Sequence, residues 1–301
     1  MNSRFRLLNN LNLYGKLQRA PAVRFKDLEE VVASRIVRNS IPVELRTSFF
    51  RVTDETLLVP VTVAIPKKNL SFREKDQIQQ AVVNVFCRIE TMTGRTVDSF
   101  EDVVQLAIPE SMFTSSFGEP ALYQKTVPLR SGLYKLSLVV KDVNSGDIGI
   151  IQERLAVPRF DAGQLAHSTL ILADTIENVP VRNIGTGQFV IGDLKVRPVV
   201  TREFHRNQTL GIYMQVYNLA LNEAHHKPDA VIHYTIVRGK ETIINRTEAA
   251  ATLANAGSQL TLAKRFSLDR VEPGEYLLVV SVADNKLNQT VQASASFSVL
   301  P

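Results

Sequence analysis

Gly132-Leu133-Tyr134-Lys135-Leu136-Ser137-Leu138-Val139-Val140-Lys141-Asp142 and, 142 residues later, Gly274-Glu275-Tyr276-Leu277-Leu278-Val279-Val280-Ser281-Val282-Ala283-Asp284 are the stretches that decide the fold. In the first, Tyr134, Leu136, Leu138 and Val140 fall at every second position; in the second, Tyr276, Leu278, Val280 and Val282 do the same. A period of two is that of a strand with one face buried. Each stretch runs into a turn, Asn144-Ser145-Gly146 in one case and Asp284 to Asn288 in the other. Each return strand ends on a valine at the same shift, Val157 and Val299. An ungapped internal match of this kind implies one structural unit used twice. The shared Gly-x-Tyr has a physical reason: glycine permits a tight entry, and a tyrosine at a strand start buries its ring while its hydroxyl bonds nearby backbone, as in a tyrosine corner.

Working outward, the same alternation recurs. Val59, Val61, Val63 and Ile65 share one face, as do Val83, Val85, Cys87 and Ile89. A Thr93-Gly94 turn leads to a strand from Arg95 to about Ile108, with Phe100, Val104, Leu106 and Ile108 on one face. In the second half, Leu210, Ile212, Met214 and Val216 form a stripe, then Ile232, Tyr234 and Ile236, with a turn at Arg238-Gly239-Lys240. Val291, Ala293, Ala295, Phe297 and Val299 close the chain. Phe25, Leu28, Val31, Val32 and Ile36 recur instead at helical spacing. With Asp27 and Glu30 read as a capping box, they predict a helix from Lys26 to Val37 packed on the first unit. Ser71 to Val82 fits either a helical turn or a loop. The expected architecture is all-β: two tandem antiparallel immunoglobulin-like β-sandwich domains with a short N-terminal helix. An N-terminal segment occupies 1–46, the first sandwich 47–158, a linker 159–168 and the second sandwich 169–301.

Composition agrees with a soluble globular chain: of 301 residues, 45% are hydrophobic and 22% charged. No apolar run approaches the roughly 20 residues of a membrane span, and the opening residues have no signal-peptide pattern. An excess of 35 basic over 30 acidic residues, without long basic blocks, argues against a nucleic-acid partner. The densest basic cluster, Arg4, Arg6, Lys16, Arg19, Arg24 and Lys26, reads as a solvated segment. The single cysteine, Cys87, has no disulfide partner in the chain and sits in a core stripe, so it reads as an inert thiol.

No motif for a catalytic triad, zinc protease, phosphate loop or dithiol is present, and neither a catalytic residue nor a cofactor is expected. Gly185-Thr186-Gly187 with Gly192 is followed by strand-like Phe189-Val190-Ile191, where a phosphate loop would open into a helix. Glu223, His225, His226 and Asp229 carry the ligand types zinc prefers, but adjacent histidines in an extended loop point apart, and a polar surface loop is the expected reading. If Leu210 to Val216 point inward, Tyr213, Gln215 and Tyr217 form a row on the opposite face. This row is the candidate binding platform for a protein or a glycan, set against the simpler reading that it covers a contact between domains.

The strings RFKDLEEVVASRI (Arg24 to Ile36), IPVELRT (Ile41 to Thr47), SLVVKDVN (Ser137 to Asn144), STLILAD (Ser168 to Asp174), IGTGQFVIG (Ile184 to Gly192) and MQVYNL (Met214 to Leu219) resemble, in order, the C-terminal part of bacterial GWxTD-domain proteins. The chain has no tryptophan, so the GWxTD motif itself is absent and no residue role transfers. The resemblance implies a β-rich region of an envelope-associated protein. On it rests the expectation of a non-catalytic structural or protein-interaction module, extracytoplasmic where an upstream signal exists. The alternatives are a carbohydrate-binding accessory module using Tyr213 and Tyr217, and a metal-dependent hydrolase at His225 and His226.

Overall fold

A computed structural model of the chain describes residues 25–34, 39–180, 187–254 and 256–301. The basic positions Arg4 to Arg24, the expected end of the helix at 35–37 and the Gly185-Thr186 pair lie outside the described residues. The chain is all-β, and its strands form two β-sandwiches with no strand pairing between them among the described residues.

Helix α1 (Lys26–Ala33) precedes the first sandwich. One sheet of that sandwich comprises β1 (Glu44–Thr47), β2 (Phe50–Arg51) and β3 (Thr56–Ile65), with β7 (Ala121–Arg130) on the far side of β3. The other comprises β4 (Arg73–Lys75), β5 (Ile78–Thr91), β6 (Thr96–Pro109), β8 (Gly132–Asp142) and β9 (Ile148–Val157), and the short helix α2 (Glu110–Phe113) follows β6. In the second sandwich one sheet holds β10 (Ala166–His167), β11 (Ile171–Asn178), β12 (Val190–Ile191), β13 (Leu194–Pro198), β15 (Thr209–Tyr217) and β18 (Gln259–Ser267). Facing it are β14 (Glu203–His205), β16 (Ala230–Arg238), β17 (Glu241–Ala249), β19 (Gly274–Asp284) and β20 (Gln289–Leu300). All pairings are antiparallel except β14 with β20, where Glu203, Phe204 and His205 run parallel beside Ser298, Val299 and Leu300.

The inward stripes are those the alternation predicts. Val59, Val61, Val63 and Ile65 meet Val83, Val85, Cys87 and Ile89 and Leu136, Leu138 and Val140 in one core. Leu210, Ile212, Met214 and Val216 meet Ile232, Tyr234, Ile236, Leu278, Val280 and Val282 in the other. Cys87 is fully buried, and that burial, reinforced by the charges of Asp98 and Glu153, pushes its thiol pKa far up. Helix α1 lays Leu28 and Val32 on Phe86 and Val139, the outer face of the β5–β8 pair. Its cap is not the expected box: the N-cap is Phe25, with no side-chain capping bond. Asp27 is drawn instead to Lys141 at 2.7 Å, a pairing that lowers the Asp27 pKa. The ambiguous Ser71 to Val82 stretch is a β-hairpin, β4 to β5, whose turn residues Asp76 and Gln77 both take positive φ (54° and 61°), the geometry of a type I′ turn.

The repeat is exact in register. Gly132 pairs Val157 and Gly274 pairs Val299, and the two glycines share a backbone conformation, φ 155° and 153°. Tyr134 donates its hydroxyl to Arg130 O (3.0 Å) and Tyr276 to Glu272 O (2.6 Å), four residues back in each case, which is the expected tyrosine corner. Asp142 and Asp284 are both buried, and each carboxylate makes the same two kinds of bond. One oxygen accepts from the following hairpin, Asn144 N–H (2.8 Å) or Leu287 N–H (2.9 Å). The other accepts from a distant loop, Ser71 N–H (2.6 Å) or Ala220 N–H (2.8 Å). One aspartate per unit thus ties its hairpin turn to a loop distant in sequence.

Replacing Asp142 or Asp284 with alanine strands two backbone donors each, and is expected to cost about 2–4 kcal/mol in urea unfolding. A change below about 0.5 kcal/mol at either site would contradict the clamp. Cys87 is expected to be unreactive to a thiol reagent in the folded chain and to react fully in denaturant.

Candidate functional site

The platform residues sit on β15, whose alternation is as predicted: Leu210, Ile212, Met214 and Val216 enter the second core, and Tyr213, Gln215 and Tyr217 point the other way. That other face is covered. Tyr213 is 1% exposed and Tyr217 0%, with Gln215 only half-buried. The expectation of an exposed aromatic platform is therefore corrected, because the first sandwich lies against this sheet. The simpler reading, a contact between domains, is the one the geometry bears out.

The covering surface is the outer face of β2 and β3. Phe50 meets the Tyr213 ring edge-on at 5.8 Å, and a small apolar cluster of Ile171, Ala173, Ile176 and Val196 with Leu58 surrounds the pair. Gly211 is required beside it, since a Cβ there would lie 2.8 Å from Ala173 O. The layers therefore run helix α1, sheet, sheet, sheet, sheet, with an apolar contact at each step.

A relay of hydrogen bonds crosses the seam. The Arg51 N–H donates to the Tyr217 hydroxyl (3.1 Å), which donates to Gln215 Oε1 (2.8 Å); Gln215 Nε2 donates to the Tyr213 oxygen (2.8 Å). Gln215 thus presents the acceptor of its amide to one tyrosine and the donor to the other. The Arg51 guanidinium lies 4.5 Å from the centre of the Tyr217 ring and donates to Asn218 Oδ1 at 2.8 Å. Burial pushes the Tyr213 hydroxyl up to about 12 and that of Tyr217 further still.

Sequence reasoning missed the first-sandwich half of this seam. Gln124 on β7 is buried, donating to Thr62 Oγ1 (2.8 Å) and accepting from Phe189 N–H (2.9 Å) of the second sandwich. Phe49 and Thr169 exchange bonds, Phe49 N–H to Thr169 Oγ1 and Thr169 N–H to Phe49 O. The connecting segment is fastened too. Phe160 packs its ring 5.3 Å from that of Tyr217, and Asn218 Nδ2 donates to Asp161 O and Gln164 O. None of these has a local pattern; each depends on which face meets which.

The remaining candidates are dispersed. Glu223, His225, His226 and Asp229 are all exposed. Glu223 lies 3.7 Å from Lys286, whereas Asp229 accepts from Asn285 Nδ2. His226 takes a positive φ of 53° in a loop closed by its own N–H to Asn222 O. Among the described residues no three His, Cys, Asp or Glu side chains converge as a metal site. Gly187 and Gly192 flank Val190–Ile191, which pairs with β13 as strand. No helix of the described residues is long and apolar enough to cross a membrane, which leaves strand-built spans unaddressed.

Tyr217→Phe leaves the Arg51 N–H without its acceptor and Gln215 Oε1 with only the longer bond from Gln259 Nε2 (3.4 Å), and is expected to cost about 1–3 kcal/mol in urea unfolding. A double-mutant cycle of Arg51→Ala with Tyr217→Ala is expected to give a coupling of about 0.5–2 kcal/mol; additive losses would show that the two do not interact across the seam.

No protein-family model matches the chain, and no curated protein matches it. Among solved structures it is similar to red sea bream transglutaminase, at 11% identity and a TM-score of 0.24, over 94% of this chain and 34% of that one. The chain thus spans about a third of that protein's length.

Proposed function

We propose that this chain is a non-catalytic structural or protein-interaction module that holds two β-sandwiches in a fixed relation, in the setting of a bacterial envelope-associated protein. The reading rests on one observation above others: the Tyr213–Gln215–Tyr217 row, where a cleft for a ligand could have opened between two domains, is filled by Phe50, Arg51 and Phe160 and closed by hydrogen bonds. Desolvated polar groups that all find partners specify one arrangement over its neighbours, because any sliding of the seam breaks several bonds at once. A fixed pair presents its outer faces at constant spacing, which is what a spacer or docking platform requires. The envelope setting is carried by the resemblance of the strings from Arg24 to Leu219 to GWxTD-domain proteins.

Small-angle scattering of the full chain is the test of rigidity. The wild type is expected to fit a single arrangement, and Tyr213→Ala combined with Tyr217→Ala to broaden the distance distribution while both sandwiches keep their strand signal by circular dichroism. A wild type that already requires an ensemble of domain orientations would overturn the fixed-spacing role. Turnover of ester, peptide or glycoside substrates by the purified chain, above a heat-treated control, would overturn the non-catalytic part.

A further inference from the structure

The open flank of the second sandwich carries a group of charged side chains that the domain seam does not use. Among the described residues β17 pairs only with β16, and β18 only with β15, which makes both edge strands of their sheets. Their inward positions begin as apolar stripe and then change character. On β18, Leu260, Leu262 and Phe266 enter the core, but Lys264 takes the position between the last two. On β17, Ile244, Arg246 and Glu248 stand opposite the core residues Ile236, Tyr234 and Ile232. Charges turned inward on edge strands discourage edge-to-edge aggregation, and that alone would account for one or two of them.

The arrangement goes further than such a plug needs. Tyr234 donates to Glu248 Oε1 at 2.6 Å, and Lys264 Nζ reaches Glu248 Oε2 at 2.7 Å, so both carboxylate oxygens are engaged. The Arg246 guanidinium lies 5.4 Å from the centre of the Phe266 ring and has no carboxylate or hydrogen-bond partner among the described residues. These residues, with Thr247 and Arg265, line a depression of about 120 Å³. Three cationic residues against one engaged acid leave a positive balance. Beneath Arg246 the floor is formed by Phe266 and Tyr234, whose ring centres are 5.9 Å apart and which are both buried in the core.

We propose that this flank depression is a binding site for a carboxylate carried on a carbon skeleton, with Arg246 as its principal anchor. A planar carboxylate matches the donor fork of a guanidinium, and an arginine steadied on an aromatic face loses little freedom on engaging it. Glu248 is a positioning residue: it holds Lys264 and Tyr234 in place and lowers the affinity by its own charge. The carboxylate can come from an acidic peptide or from an acidic sugar, and the site chemistry is the same for both. This site is separate from the seam on which the fixed-spacing role rests, so either can fail alone.

The test is thermal unfolding of the full chain at constant ionic strength with hexaglutamate, digalacturonate, and the neutral counterparts hexaglutamine and digalactose. At saturating ligand one or both acids are expected to raise Tm by about 2–4 °C over the neutral counterparts; the one that acts identifies the source. Arg246→Gln, with its unliganded Tm close to the wild type's, is expected to abolish the rise. Glu248→Gln keeps an acceptor for Tyr234 while removing the opposing charge, and is expected to tighten binding about fivefold. A purely structural plug would instead lose stability in Glu248→Gln with no gain in affinity. Absence of any rise with both acids, a rise unchanged in Arg246→Gln, or an equal rise with inorganic phosphate would overturn the proposal.

Discussion

Strand β3 has no polar face, and a strand of that kind has to be covered twice. From Val59 to Ile65 every residue is buried, the odd-numbered ones in the first core and Pro60, Thr62 and Ala64 on the other side. Exposed, that second face would be an apolar patch on an otherwise ordinary sandwich. The second sandwich covers it, through Ile171, Ala173 and Ile176 of β11, Val196 of β13 and Tyr213 of β15, itself a strand buried on both faces. Pro60 is tolerated because it falls where one neighbour gives way to another: β2 pairs with Leu57 and Leu58, β1 with Val61 to Ala64. The tandem arrangement is in this sense dictated from within the first domain.

The sequence made the strands and their inner faces legible, since period-two burial depends only on neighbours in the same strand. It separated Tyr213, Gln215 and Tyr217 from the core side of β15 without saying what lay beyond them. Tyrosine suits an exposed platform and a wet-edged internal seam equally well, and only the packing of a distant strand decides between the two. A clue was present in β3, where apolar residues occupy both parities from Leu57 onward, the mark of a strand buried on both sides. The capping box at Asp27 failed for a similar reason: Lys141, distant in sequence, competes for the carboxylate. In the β4–β5 hairpin, Asp76 and Gln77 adopt a turn for which their residue types give only a faint signal, and pairing with a long neighbouring strand overrides local preference.

Duplication has kept some devices and lost others. The tyrosine corner and the aspartate clamp recur at the same register in both units, which marks them as requirements of the sandwich itself. Features present once belong to what distinguishes the units. Among the described residues α1 lies on the outer sheet of the first only and the Arg246–Phe266 stack on the flank of the second only, whereas an inward acid bonded to a core tyrosine is common to both, Asp102 with Tyr123 and Glu248 with Tyr234. Specific recognition is to be sought among these unshared features, because the shared ones are fully engaged in holding each sandwich closed.

The parallel pairing of β14 with β20 has a mechanical meaning. Beyond the three paired residues, Ser298 N–H donates to Arg202 O, Arg206 N–H to Leu300 O, and the His205 ring contacts Pro301 O. A load that draws the C-terminal end of β20 away from the N-terminal end of β14 acts along the strand direction. Bonds arranged across that direction share the force together, where a hairpin pulled at its open end would yield one bond at a time. The β14–β20 pairing is thus the geometry that resists such a load as a unit.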